Sequence, residues 1–173
     1  IINLLLTQQI GYGLYDSCET GFFDYIHCYL NIPDTCSRDS LFQAEARRCK
    51  NILESIIENK NKRHFCIFDE LYSGTNPYEA ISSAYSYLKF IAKNKNVKFL
   101  LTTHYLKLCD LLKSNKKISN KSMETYIKDN VSTYLYKLVN GKSALKGGVS
   151  VLKNLSYPEH ILKETQEVLK KLE

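Results

Sequence analysis

The sequence predicts an α/β fold with a mainly parallel central sheet flanked by helices, and three observations lead to it. Phe65-Cys66-Ile67-Phe68 is a fully apolar run that ends abruptly in Asp69 and Glu70, as a buried parallel strand does when it delivers polar groups to its carboxyl edge. Phe99 to Thr103 is a second such run, and it ends in His104. Between them lies an amphipathic helical stretch long enough for the crossover that parallel pairing requires. If the two strands are neighbours, Asp69, Glu70 and His104 meet at the edge where open α/β sheets bind ligands.

Taken in chain order, Ile1 to Leu6 read as the end of an apolar helix. A turn-rich stretch, Gly11 to Gly21, leads into the apolar and aromatic run Phe22 to Ile32, which suits one or two strands and stops at Pro33-Asp34. Residues 37–48 open a helix: Ser40 and Gln43 have capping-box spacing, and Phe42, Glu45, Cys49, Ile52, Leu53 and Ile56 recur at helical intervals. After the strand to Asp69-Glu70 comes a Ser73-Gly74-Thr75 turn. A helix then starts with Asn76 as cap, Pro77 at its first position and Glu79 three residues after the cap. Its apolar stripe is Ile81, Ala84, Tyr85, Leu88 and Ile91.

Beyond the strand to His104, the Lys- and Asn-rich stretch 113–130 reads as a loop or exposed insertion. Residues 131–139 alternate as a strand, with Asn140-Gly141 as a hairpin signal. The last helix has Ser156 as cap, Pro158 and Glu159 in its first turn, and the stripe Ile161, Leu162, Thr165, Val168, Leu169 and Leu172. No repeat or domain linker interrupts this order, so one α/β unit is expected.

At 173 residues the chain has the size of one domain; a domain of roughly 150 residues buries about 70% of its unfolded surface. A composition of 44% hydrophobic and 24% charged residues is that of an ordinary globular protein. No stretch approaches the roughly 18 apolar residues that span a bilayer, so a soluble, intracellular protein without a membrane partner is expected. The six cysteines are widely spaced and form no Cys-x-x-Cys pair, which fits reduced thiols better than a disulfide frame or zinc site. The net charge of +6 is mostly lysine, concentrated in 113–128 and near the C-terminus. Without interleaved aromatics or clustered arginines it reads as a solvated surface rather than a nucleic-acid patch. His27, His64 and His160 have no metal-ligand spacing and read as core or surface histidines.

The converging residues suit phosphoryl chemistry. Hydrolysis of a terminal phosphate needs a divalent ion, a group that orients the attacking water, and donors for the charge that develops. Asp69 at a strand end suits Mg²⁺, which keeps several waters and takes few carboxylates. Glu70 suits the role of orienting or deprotonating the water, and His104 that of a donor to the terminal phosphate.

Asp69-Glu70-Leu71-Tyr72-Ser73-Gly74-Thr75 followed by Thr102-Thr103-His104-Tyr105 resembles the ATPase domain of the MutS family, within the ABC-type P-loop superfamily. There, the Walker B strand ends in Asp-Glu before a Gly-Thr turn, and a later strand ends in the switch histidine. Ser37-Arg38-Asp39-Ser40-Leu41-Phe42-Gln43-Ala44-Glu45 is similar to the family's signature segment, departing from it at Arg38, where glycine is usual, and at Leu41, where threonine is usual. Gly141 to Val151 with Pro158 resembles the family's glycine-spaced segment that leads into a helix.

The resemblance implies a P-loop NTPase fold over 1–173, with ATP and Mg²⁺ as cofactors, Glu70 and His104 catalytic, and Asp69 on the metal. Ser37, Ser40 and Thr75 would serve nucleotide at a subunit interface, and Tyr136 falls where the family packs a residue on adenine. It further implies a homodimer or paralogue heterodimer with composite ATP sites, mismatched double-stranded DNA held by other regions, and a MutL-like partner. The location would be nucleus or cytoplasm, or a viral factory for a divergent branch from a large DNA virus.

No Gly-x-x-x-x-Gly-Lys-Ser/Thr loop occurs, and Gly141-Lys142-Ser143 follows a strand-like run without the first glycine. The resemblance places that loop upstream of Ile1, so the chain is expected to be an N-terminally truncated ATPase domain that by itself binds ATP poorly and hydrolyses none. A catalytically degenerate dimerisation module and another ABC- or SMC-type ATPase are the alternatives, although a Leu-Ser-Gly-Gly-Gln signature is absent.

Overall fold

In the computed structural model, residues 1–30, 40–128, 131–143 and 147–172 are described. The chain divides into two compact units, Ile1–Ile118 and Ser119–Glu173, at a boundary that no linker composition marks. The first unit contains α1 (Ile2–Ile10), β1 (Tyr25–Tyr29), α2 (Leu41–Glu58), β2 (His64–Asp69), α3 (Pro77–Ile91), β3 (Val97–Thr102) and α4 (Leu106–Leu112). The three strands form a parallel sheet in the order β1-β2-β3, as the strand, helix, strand sequence requires. Among the described residues of the run Phe22 to Ile32 there is one strand, and the strand before His104 starts two residues earlier than the apolar run implies.

Register decides which side chains share a face. His64, Cys66 and Phe68 of β2 pair with Tyr25, His27 and Tyr29 of β1 and with Val97, Phe99 and Leu101 of β3. That face meets both crossover helices: Cys49, Ile52 and Ile56 of α2 and Ala80, Ala84, Tyr87, Leu88 and Ile91 of α3 join Cys66 and Phe68 in one core cluster. Right-handed crossovers in one direction along a sheet place both helices on the same side. Consequently β2 is not buried on both faces. Phe65 and Ile67 point the other way and are half-buried, and Leu100 of β3 is 59% exposed. Phe65 leans on the Phe23 ring, 5.1 Å between centroids, which the Arg63 guanidinium covers in turn. Burial pushes the Cys66 thiol up to about 12 and the Cys49 thiol up to about 11, so both behave as small core hydrophobes. Cys18, Cys28, Cys49 and Cys66 are free thiols.

Helix starts follow the sequence closely. Ser40 Oγ accepts the Gln43 N–H at 3.3 Å while Gln43 Oε1 accepts the Ser40 N–H at 3.0 Å, a complete capping box. Asn76 Oδ1 accepts the N–H groups of Tyr78 and Glu79, both at 3.1 Å, with Pro77 at the first position. Asn76→Ala is expected to destabilise the unit by about 1 kcal/mol, read as a lower midpoint in urea. The stripe of α3 is wider than the sequence implies, because Ala80 and Tyr87 are buried as well and Ile81 and Tyr85 are only partly so. Two helices cover one sheet face, so α3 meets neighbours over a broader arc than a single stripe. At the end of α1, Gly11 takes a left-handed φ of 70° and returns its N–H to Thr7.

A histidine pair lies under the sheet's amino edge. His64 is 1% exposed, and its Nε2 lies 3.1 Å from the Asn59 carbonyl oxygen. That nitrogen therefore carries the proton, which leaves Nδ1 to accept from His27 Nε2–H at 3.0 Å. Tyr25 stacks on His64 at 4.9 Å and donates its hydroxyl to Asn59 Oδ1. Burial first, then the nearby His64 and Arg48, hold His27 below its usual 6.5. An unfolded chain takes up that proton near 6.5 and the folded one only at lower pH. Below 6.5 the unfolded state therefore binds more protons and stability falls, whereas above it the contribution is fully present. Wild type should lose more thermal stability than His27→Gln between pH 7.5 and pH 5.5, and an equal loss in both would contradict this.

The second unit contains β4 (Lys121–Lys128), β5 (Val131–Asn140), α5 (Gly148–Asn154) and α6 (Glu159–Leu172). Three expectations change here. Residues 121–128, read as part of a loop, form a strand paired antiparallel with β5, because cross-strand partners override the low strand propensity of lysine. Asn140-Gly141 is not the connecting turn: Lys121 pairs with Asn140, and the Gly141 N–H donates to the Asn120 carbonyl at 3.0 Å, closing the open end of the hairpin. Ser156 is not the cap of α6. It has a left-handed φ of 58° and ends α5, with Ser156 N–H on the Lys153 carbonyl and Tyr157 N–H on the Leu152 carbonyl, the two bonds of a Schellman motif. Gly141-Lys142-Ser143 follows the end of β5 and is itself not helical.

Candidate active site

The sheet's carboxyl edge assembles the site. Asp69 and Thr102 are register partners at the ends of β2 and β3, on the face opposite the core, and the Thr102 hydroxyl donates to Asp69 Oδ1. Sequence reasoning placed Asp69 but not this threonine, whose only signal was its position at the end of the second apolar run. Glu70 stands one residue beyond the strand with a left-handed φ of 50°, and its N–H donates to the Thr102 carbonyl at 3.0 Å. Its Oε1 lies 3.0 Å from His104 Nδ1, with the two side chains 51% and 58% exposed. The carboxylate can only accept, so Nδ1 carries the proton.

Tyr105 packs its ring on His104 at 4.2 Å and takes the Thr103 hydroxyl as acceptor for its N–H. Burial first, then the charges of Glu70 and Glu45, push the Tyr105 hydroxyl above its usual value, which keeps it a neutral wall of the site. Glu70 and Tyr72 both have positive φ, 50° and 61°. Such backbone costs of order 1–3 kcal/mol per residue and persists where surrounding structure imposes it.

The loop from Glu70 to Asn76 is held from below. Leu71 and Tyr72 are buried, the Tyr72 N–H reaches Tyr29 Oη at 3.4 Å, and the Tyr72 ring meets Phe42 at 5.8 Å. Gly74 lies against the start of α2, where a Cβ would come within 2.8 Å of the Phe42 backbone nitrogen. The Thr75 hydroxyl donates to Glu79 Oε2, so Thr75 is a half-buried residue engaged with its own helix.

The remaining expected residues are not all gathered here. Ser40 is exposed, and its oxygen serves the capping box, leaving the hydroxyl proton to donate outward. Ser37 and Arg38 lie outside the described residues. Tyr136 belongs to the second unit. Between Met123–Leu138 and Thr125–Tyr134 the pairing skips residues on β5, so Tyr136 sits in a bulge with a φ of 54° and an 84% exposed ring. A bulge at positive φ re-aims a side chain, and both faces of an exposed ring are open to stacking.

Among the described residues no three His, Cys, Asp or Glu side chains gather as a metal cage. Asp69 is exposed at the carboxyl edge of the sheet.

Residues 2–173 match the profile of MutS domain V. The chain belongs to this family. It is 33% identical over 174 residues to the DNA mismatch repair protein MutS of Bacteroides fragilis, covering 98% of this chain and 20% of that protein. The DNA mismatch repair protein MutS of Aquifex pyrophilus is 34% identical over 121 residues, covering 70% of this chain and 14% of the relative. That of Streptococcus suis is 28% identical over 173 residues. This MutS domain V chain thus spans about a fifth of the length of the curated relatives it matches. Among its described residues no helix is long and apolar enough to cross a membrane.

Proposed function

We propose that this MutS-family chain is the ATP-hydrolysing part of a MutS-like DNA mismatch repair protein, with an ABC-type P-loop fold. The observation that carries the reading is the Glu70–His104 contact of 3.0 Å beside Asp69, at the carboxyl edge of a parallel sheet. The relatives named above are DNA mismatch repair proteins, which supports the process it serves.

In this reading Asp69, oriented by the Thr102 hydroxyl, would hold Mg²⁺, which when bound neutralises phosphate charge. Glu70 orients and deprotonates the attacking water, since a carboxylate that gives one oxygen to His104 keeps a second for water. His104 positions Glu70 in the resting site. Both side chains are more than half exposed, so they can part to admit a phosphate and its water, after which the imidazole faces the phosphate. Ser40, at the start of α2, offers its hydroxyl and helix N-terminus to the nucleotide of a second subunit, and Tyr136 offers a ring for adenine.

Homodimers or paralogue heterodimers with composite sites, mismatched double-stranded DNA held by other regions, and a MutL-like partner complete the proposal. The test is ATP turnover by a full-length protein carrying this domain, with and without Mg²⁺. Turnover should require Mg²⁺, and Asp69→Asn should lower it by about a hundredfold, the scale of losing one charge-stabilising group. Equal turnover in Asp69→Asn and wild type would sink the reading.

A further inference from the structure

A carboxylate stands inside the apolar stripe of α2. Glu45 is 3% exposed, and its charge is met by three donors from one turn: Oε1 accepts the Ser73 N–H and the Ser73 hydroxyl, and Oε2 accepts the Gly74 N–H, each at 3.0 Å. Taking a carboxylate out of water is costly, and an apolar residue of similar volume is often at least as stabilising at such a place. Core packing alone therefore does not account for a glutamate here. The three bonds to Ser73 and Gly74 are directional and fall three residues after Glu70, in the loop whose backbone has positive φ at Glu70 and Tyr72. Gly74 can approach α2 this closely only because it lacks a Cβ, which would meet Leu41 Cγ at 2.7 Å.

We propose that Glu45 is a positioning residue: by clamping the Ser73-Gly74 turn to the start of α2, it fixes the backbone from which Glu70 reaches the attacking water. This rests on the ATPase reading above. The clamp also joins two segments that the sequence keeps apart, the Ser40 cap of α2 and the Glu70 loop. Losing it leaves Asp69 and Thr102 in place, because they are held by strand pairing, and frees only the loop beyond the strand.

The test uses a full-length protein carrying this domain and measures turnover per nucleotide-bound site, bound sites being counted with a non-hydrolysable ATP analogue. In Glu45→Gln one amide oxygen can still serve Ser73, but the amide NH₂ faces the Gly74 N–H and that bond is lost. Turnover per bound site should fall about ten- to a hundredfold, the cost of displacing a reacting group by about 1 Å, with the number of bound sites and the KM for ATP unchanged. Ser73→Ala, which removes one bond and no backbone donor, should give a smaller fall of the same kind. A residue that merely supports folding would lower the number of bound sites and leave turnover per site intact, and that result overturns the proposal. If Glu45→Gln does not fold, unchanged turnover per site in Ser73→Ala overturns it alone. Glu70→Gln separates the two ideas: full turnover in that variant defeats the ATPase reading, whereas its loss beside an unaltered Glu45→Gln defeats only the clamp.

Discussion

Glu70→Gln in a full-length protein carrying this domain is expected to cut ATP turnover by about a hundredfold or more, the usual contribution of a positioned general base, while ATP binding is retained. Glutamine keeps the size of the side chain and can still accept the His104 Nδ1–H through its amide oxygen, so the loop and the imidazole keep their contact. Basicity alone is lost. Glu70 is 51% exposed and outside the core, and the fold should therefore melt at nearly the wild-type temperature. Single-turnover measurements with saturating ATP isolate the chemical step, and an unchanged rate there would remove Glu70 from the role assigned to it.

Phe68→Ala is expected to cost about 3–5 kcal/mol of stability, the range for truncating a buried phenylalanine. Its ring is fully buried and sits among Tyr29, Tyr87 and Phe99, with centroids 6.1, 5.7 and 6.5 Å away. Those neighbours come from β1, α3 and β3, so one truncation loosens the sheet from a covering helix as well as strand from strand. A loss of this size is a large share of the 5–15 kcal/mol that holds a domain together. Phe68 immediately precedes Asp69, so the carboxyl edge should also lose its order. Urea unfolding of wild type and variant gives the difference directly, and a change under 1 kcal/mol would show that the neighbours repack.

Much of the first unit was legible because its signals are local. The capping box at Ser40, the cap at Asn76, and the apolar runs that end at Asp69 and before His104 each depend on residues a few positions apart, and the structure keeps them. The second unit was less legible. Residues 121–128 become a strand through partners on β5, and Ser156 caps no helix because its backbone belongs to the end of the preceding one. Turn residues such as Asn140-Gly141 and Ser156 carry the same local preference at a hairpin, a strand end or a helix end, so composition does not choose among them.

The sequence by itself determined the strand, helix, strand crossover between Asp69 and His104, the starts of α2 and α3 and the placing of Asp69, Glu70 and His104 at strand ends, because hydrophobic periodicity and capping act over a few residues. Only the tertiary structure decided that Thr102 faces Asp69, that both crossover helices cover one face of the sheet, and that Glu45 reaches across to Ser73 and Gly74. Those contacts join positions 28 and more residues apart, and strand register and helix packing, not local preference, set which side chains meet over such spans.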